Sequence, residues 1–274
     1  MCSIFRIQNT LARCTVSARA LPILVTVVVL FGPAFAAHGA EDEFEAGIFH
    51  AKSGKTLPYR LLKPRNYDKS KHYPLVMFFH GYGERGTDNE KQLKHCVELF
   101  ARPEEREKYP CFVAVPQAPG PWLPIGDKDF LKPRPFKGAT EALELSVELK
   151  NQLAREFSVD TNRIYISGAS NGGYAVWFLL HAFPTTWAAA VPCCGGGDPS
   201  AIAVAKKVPI WAFHGDKDST VPVARTKELI AALEAAGGHP KFTEYKDAHH
   251  MDAADKAYKD PELLPWLFEQ KRGK

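Results

Sequence analysis

Arg163-Ile164-Tyr165-Ile166-Ser167-Gly168-Ala169-Ser170-Asn171-Gly172-Gly173 is the stretch from which the fold is read. Ile164, Tyr165 and Ile166 favour an extended strand. A helical pattern follows from Gly172 to Ala182. Between the two lies Gly-x-Ser-x-Gly, so a serine stands at a tight strand-to-helix turn. A side chain at position 168 or 172 would strike the backbone of so sharp a turn, and glycine removes the clash. The turn lifts the Ser170 hydroxyl above the end of its strand. A serine in that context reads as a nucleophile.

Outward from this turn the same alternation repeats. Tyr73 to Phe79 is a continuous apolar run, the pattern of a strand buried on both faces of a parallel sheet. Cys111 to Val115, Ala188 to Val191 and Val208 to Phe213 follow suit. Two earlier segments, Ala46 to His50 and Leu57 to Leu62, read as strands joined at Ser53-Gly54. Helical periodicity runs through Ala139 to Phe157, Pro222 to Ala236 and Ala253 to Gln270. Strands alternating with helices predict an α/β fold with a mostly parallel central sheet. Residues 117–138 hold Trp122 and many prolines but little periodicity, which predicts a long irregular loop.

A serine hydroxyl is a weak nucleophile and needs a base. On α/β-hydrolase folds the partners follow in the order serine, acid, histidine. The acid belongs just past Val208 to Phe213, where Asp216 and Asp218 both qualify. The base belongs after the strand Lys241 to Tyr245, where His249 and His250 are neighbours. Spacing alone does not choose within either pair. An oxyanion hole takes two backbone N–H groups. Asn171, the residue after the serine, supplies one. Tyr82, in the loop His80-Gly81-Tyr82-Gly83-Glu84-Arg85-Gly86, is the candidate for the other. Trp122 and its loop are candidates for the wall of a substrate cleft.

Several of these segments together resemble a known family. The loop His80 to Asn89, with Gln92-Leu93-Lys94-His95, is similar to the H-G-x-G-E-R-G loop of bacterial phospholipase/carboxylesterase-like α/β-hydrolases, also described as prolyl-oligopeptidase-like or predicted peptidases. Val115-Pro116-Gln117 with Trp122, His214-Gly215-Asp216-Lys217-Asp218 with Val221-Pro222, and Tyr258 to Gln270 resemble further motifs of that family. The resemblance spans about residues 55 to 270. It implies an α/β-hydrolase fold and a Ser170-His250-Asp218 triad hydrolysing carboxylic esters. It also implies two departures. Tyr82 replaces a small residue in the oxyanion loop, which restricts acyl size, and His249 replaces a glycine.

The N-terminus has a different character. Arg6, Arg13 and Arg19 precede an apolar run from Ala20 to Ala37, with no acidic residue and with small residues at Ala34 and Ala36. This is the pattern of a secretory signal over residues 1–36, followed by a catalytic domain over 41–274. Export to the periplasm or the medium is therefore expected, with membrane contact only through an uncleaved signal. Those three arginines carry most of the net charge of +4. The remaining basic residues are scattered, so the charge gives no reason to expect a nucleic-acid partner. Four cysteines remain beyond the signal, Cys96, Cys111, Cys193 and Cys194, and their spacing suggests buried thiols rather than a disulfide scaffold or a zinc site. The expected chemistry needs no metal or organic cofactor. Two other functions stay open, a prolyl-oligopeptidase-type peptidase and a silent binding module. The first usually carries a large gating domain for which this chain has no room.

Overall fold

A computed structural model of the chain describes residues 43–124, 131–132 and 135–273. The expected signal, residues 1–36, lies outside the described residues, as do residues 125–130 and 133–134 of the irregular loop.

The apolar runs become the middle of an eight-stranded sheet. Its strands are β1 (Glu45–His50), β2 (Thr56–Leu62), β3 (Tyr73–Phe79), β4 (Phe112–Pro116), β5 (Val159–Ala169), β6 (Ala189–Cys193), β7 (Trp211–Gly215) and β8 (Lys241–Tyr245), in the spatial order β1-β2-β4-β3-β5-β6-β7-β8. The β1–β2 hairpin and the β2–β4 pair are antiparallel, and all other pairs are parallel. Every residue of β3, β4, β6 and β7 is buried, as continuous apolar runs require. Alternate residues of β3 feed different cores. Leu75, Met77 and Phe79 pack with α2 (Glu141–Glu156), α3 (Asn171–Ala182) and α4 (Ala224–Ala235). Val76 and Phe78 pack with α5 (His250–Ala257) and α6 (Leu263–Glu269). Each such side chain contributes about 1.5–3 kcal/mol by leaving water.

The C-terminal helix needs correction. Ala253 to Gln270 reads as one helix, but the chain forms α5 and α6 with a break between them. Pro261 stands in the break, with no N–H to continue a helix and a ring that disfavours helical geometry at Asp260. Asp260 instead accepts the Glu262 N–H at 2.9 Å. A short helix, α1 (Pro103–Lys108), escapes the periodicity altogether, because none of its residues is buried. Strand boundaries shift as well. β5 starts at Val159 rather than Arg163, and β7 runs from Trp211 to Gly215. No helix among the described residues is long and apolar enough to cross a membrane.

The parallel strands all end on one edge. The loops leaving β3, β5, β7 and β8 carry Tyr82, Ser170, Asp218 and His250. Crevices at the carboxyl ends of such strands are where ligands bind in open α/β sheets.

Candidate active site

Ser170 sits between β5 and α3 with φ 56° and ψ −118°. Few non-glycine residues adopt a positive φ, and the cost is carried by the surrounding packing. That packing depends on two glycines. A Cβ on Gly172 would lie 1.9 Å from the Phe79 carbonyl oxygen, and one on Gly168 would lie 2.7 Å from the same atom. The Ser170 N–H donates to the Cys193 carbonyl at 2.9 Å, tying the turn to β6. Asn171 opens α3, where first-turn N–H groups have no carbonyl within the helix to bond.

The Ser170 hydroxyl donates to His250 Nε2 at 2.8 Å, and His250 Nδ1–H donates to Asp218 Oδ2 at 2.6 Å. Asp218 takes further donors. Its Oδ1 accepts the N–H groups of Thr220 at 2.9 Å and Val221 at 2.8 Å. Its Oδ2 lies 3.1 Å from Nε2 of His214, a fully buried side chain. That nitrogen also faces the Val221 carbonyl at 2.8 Å. Two acceptors facing one nitrogen require it to carry the proton, so His214 donates to Asp218. Burial alone would raise the Asp218 pKa. The hydrogen bonds from His214 and His250, the charge of His250 and the Val221 N–H outweigh burial and hold the carboxyl well below its usual range.

The neighbouring candidates go elsewhere. His249 heads α5, where its Nδ1 faces the Lys217 carbonyl at 3.1 Å and its N–H donates to Asp252 at 3.2 Å. Asp216 donates its backbone N–H to the Tyr245 carbonyl at 3.1 Å. Trp122 is not a cleft wall: its side chain is 0% exposed. It packs edge-on against Phe79 at 5.1 Å, donates Nε1–H to the His80 carbonyl at 2.9 Å and donates its backbone N–H to Asn171 Oδ1 at 2.9 Å. It braces both segments that carry the candidate oxyanion donors. His80 completes this support, with Nδ1–H donated to the Gly81 carbonyl at 2.7 Å and Nε2 accepting the Ala118 N–H at 3.0 Å. Burial pushes its pKa down to about 4, against the Gly81 bond and with help from Arg85, so it is neutral at pH 7. Tyr82 opens the turn after β3, with the Arg85 guanidinium 3.3 Å above its ring.

Cys194, Asp218 and His250 are the group among the described residues whose donor atoms are spaced as metal ligands, within 4.8 Å of one another. Their bonding fits proton transfer better. Both His250 nitrogens are engaged, and the buried Cys194 thiol donates to the His250 carbonyl at 3.2 Å. Burial and the Asp218 charge push that thiol well above its ordinary pKa, away from the thiolate a metal would need. Cys96, Cys111, Cys193 and Cys194 are all buried and unbridged.

Sheet order and helix placement define an α/β-hydrolase, with the hydrogen-bonded serine, histidine and aspartate at the edge where that fold carries its chemistry. Residues 66–256 match the phospholipase/carboxylesterase family, and the chain belongs to it. Among solved structures, a thermostable esterase superposes with a TM-score of 0.78 and 35% identity, over 85% of this chain and 64% of that one. A bifunctional acetylxylan esterase/xylanase of Neocallimastix patriciarum is 31% identical over 74 residues, covering 27% of this chain and 11% of that protein. A probable dipeptidyl-peptidase 5 of Aspergillus terreus is 22% identical over 86% of this chain and 36% of its own length. The chain thus spans only a fraction of either curated relative.

Proposed function

We propose that the protein is an exported serine esterase that hydrolyses carboxylic esters of short-chain, aryl or polysaccharide-linked acyl groups. The observation that carries this reading is the unbroken hydrogen-bonded chain from Ser170 Oγ through His250 to Asp218. His250 takes the Ser170 proton as Oγ attacks the ester carbonyl. Negative charge moves to the carbonyl oxygen, which the N–H groups of Tyr82 and Asn171 hold. The C–O bond to the alcohol breaks, and His250 returns the proton to the departing oxygen. Water then attacks the acyl-serine with His250 again as base, releasing the acid and the free serine. Asp218 stays ionised throughout and stabilises the imidazolium form of His250. Membership of the phospholipase/carboxylesterase family and likeness to an esterase structure support an ester as substrate.

The full chain, expressed with its own N-terminus, is expected to hydrolyse p-nitrophenyl acetate and butyrate. Ser170→Ala is expected to lose up to ~10⁶-fold in kcat. A folded Ser170→Ala chain with near-normal turnover would end this scheme. The N-terminal residue of the enzyme recovered outside the cytoplasm is expected to be Ala37. Recovery only of cell-retained protein starting at Met1 would end the export reading. The dipeptidyl-peptidase relative favours amide hydrolysis as a second reading. Ser170-dependent cleavage of a prolyl p-nitroanilide, with no cleavage of any ester, would replace the first reading with the second.

A further inference from the structure

A small cavity opens directly beside Ser170. Gly81, Glu84, Gln92, His95 and Met251 line it, and its volume of about 10 Å³ admits one water-sized group. Gln92 and Glu84 bring acceptor oxygens to its wall. Gln92 is fully buried, and its Nε2–H donates to Asn89 Oδ1 at 2.6 Å. Asn89 is itself oriented by its Nδ2–H bond to the Gly47 carbonyl at 3.3 Å, so Gln92 cannot turn its amide round. Gln92 Oε1 is left with no hydrogen-bond partner among the described residues. An unpaired buried acceptor costs about 1–3 kcal/mol unless something donates to it.

Glu84 adds a carboxylate. Its side chain is mostly buried, and Oε1 lies 3.9 Å from His95 Nε2, too long for a hydrogen bond. Its other oxygen, Oε2, and Ser170 both flank the backbone of Gly81. The point where a Cβ on Gly81 would stand is 2.8 Å from Glu84 Oε2 and 3.7 Å from Ser170 Cβ. A negative charge here is costly for ester hydrolysis on its own account, because an oxyanion must form on the same loop. The subsite therefore calls for a substrate group that donates hydrogen bonds and sits within a few bonds of the scissile carbonyl.

We infer that the Glu84–Gln92 cavity is a subsite for a hydroxyl group next to the ester, so that the enzyme selects esters of polyols or sugars, or esters of hydroxy acids, over plain alkyl esters. This inference rests on the esterase reading. A hydroxyl suits the cavity better than an ammonium group does. Both are one heavy atom wide, but the neutral group loses far less on leaving water. Ser170 and Glu84 line the same small cavity, so a hydroxyl close to the ester linkage is the one placed to reach it while the ester carbon meets Ser170 Oγ. The alcohol portion or the acyl portion can present it, and the two are separable by experiment.

The test compares kcat/KM for two matched pairs with the full chain. Glycerol monoacetate against propyl acetate places the hydroxyl on the alcohol side. Ethyl lactate against ethyl propionate places it on the acyl side. Hydrogen bonds to a charged group support a preference of about tenfold to hundredfold for the hydroxylated member of one pair. In Glu84→Met that ratio is expected to collapse to within about threefold of unity. The ratio is read within one preparation, so partial misfolding or a general loss of activity leaves it unchanged. Gln92→Leu provides a second, independent removal of an acceptor and is expected to lower the same ratio. Equal rates within both pairs for the unaltered chain would overturn the subsite, and so would a full preference retained in Glu84→Met. Absence of Ser170-dependent turnover for all four esters would instead overturn the esterase reading, and the subsite would fall with it.

Discussion

His214 holds the acid of the proposed triad in a way the rest of the site does not. Asp218 Oδ2 receives both the His250 and the His214 protons. Both bonds stabilise the Asp218 carboxylate. His214→Leu removes one of them and leaves the Val221 carbonyl without the same donor. kcat/KM is expected to fall about threefold to tenfold, the worth of one hydrogen bond. His214→Gln keeps an N–H at the same reach and is expected to restore much of the loss. A folded His214→Leu chain with unchanged kcat/KM would reduce His214 to packing. At this scale the sequence is uneven. Ser170 is legible because its demands are local: two glycines, a strand before and a helix after. Asp216 and Asp218 share one turn, and His249 and His250 are adjacent. Which of each pair turns toward Ser170 depends on where β7 and β8 end, and local spacing does not encode that. Trp122 misleads for a related reason. Aromatic residues in irregular loops carry no periodicity to say which way they face, and this one is anchored inward by His80 and Asn171.

Among the elements, the β5–α3 junction is the most constrained. Gly172 touches the carbonyl of Phe79 at the end of β3, so the turn, the neighbouring strand and the loop that carries Tyr82 are held by one contact. Gly172→Ala has no room to accommodate its methyl, because the atom it meets is backbone. The substitution is expected to destabilise the fold by about 3 kcal/mol or more, at the upper end of overpacking costs, and to abolish esterase activity. Urea denaturation reads the first effect. A stable, active Gly172→Ala chain would show that β3 and α3 do not approach this closely. Strands leave a clearer trace in this sequence than helices do. Apolar runs such as Tyr73 to Phe79 announce two-sided burial, whereas α1 buries nothing and so leaves no periodic trace. The break at Pro261 was visible as a residue, but the periodicity of Ala253 to Gln270 runs across it.

For the molecule as a whole, the alternation of apolar runs with amphipathic stretches predicts a mostly parallel sheet, and the sheet has that form. Its strand order is not written in the runs themselves, since β4 precedes β5 in sequence yet lies on the far side of β3. One whole-molecule property follows from a buried group. His80 binds its proton at about pH 4 when folded, against 6.5 for a free imidazole. Between those values the unfolded chain holds more protons on His80, so the His80 contribution to stability is complete above pH 6.5 and declines as pH falls toward 4. The decline attributable to His80 is about 3 kcal/mol. His80→Gln is expected to flatten the dependence of the unfolding midpoint on pH in this window, and an equally steep dependence in the variant would assign it to other groups. The sheet order also governs when the site comes into being. Ser170 follows a central strand, while His250, 80 residues later, follows β8 at the sheet's outer edge. If the proposed triad is the working one, the serine has no base during synthesis until β8 and the start of α5 have emerged and docked. Ester turnover by a growing chain is then expected only once His250 is in place.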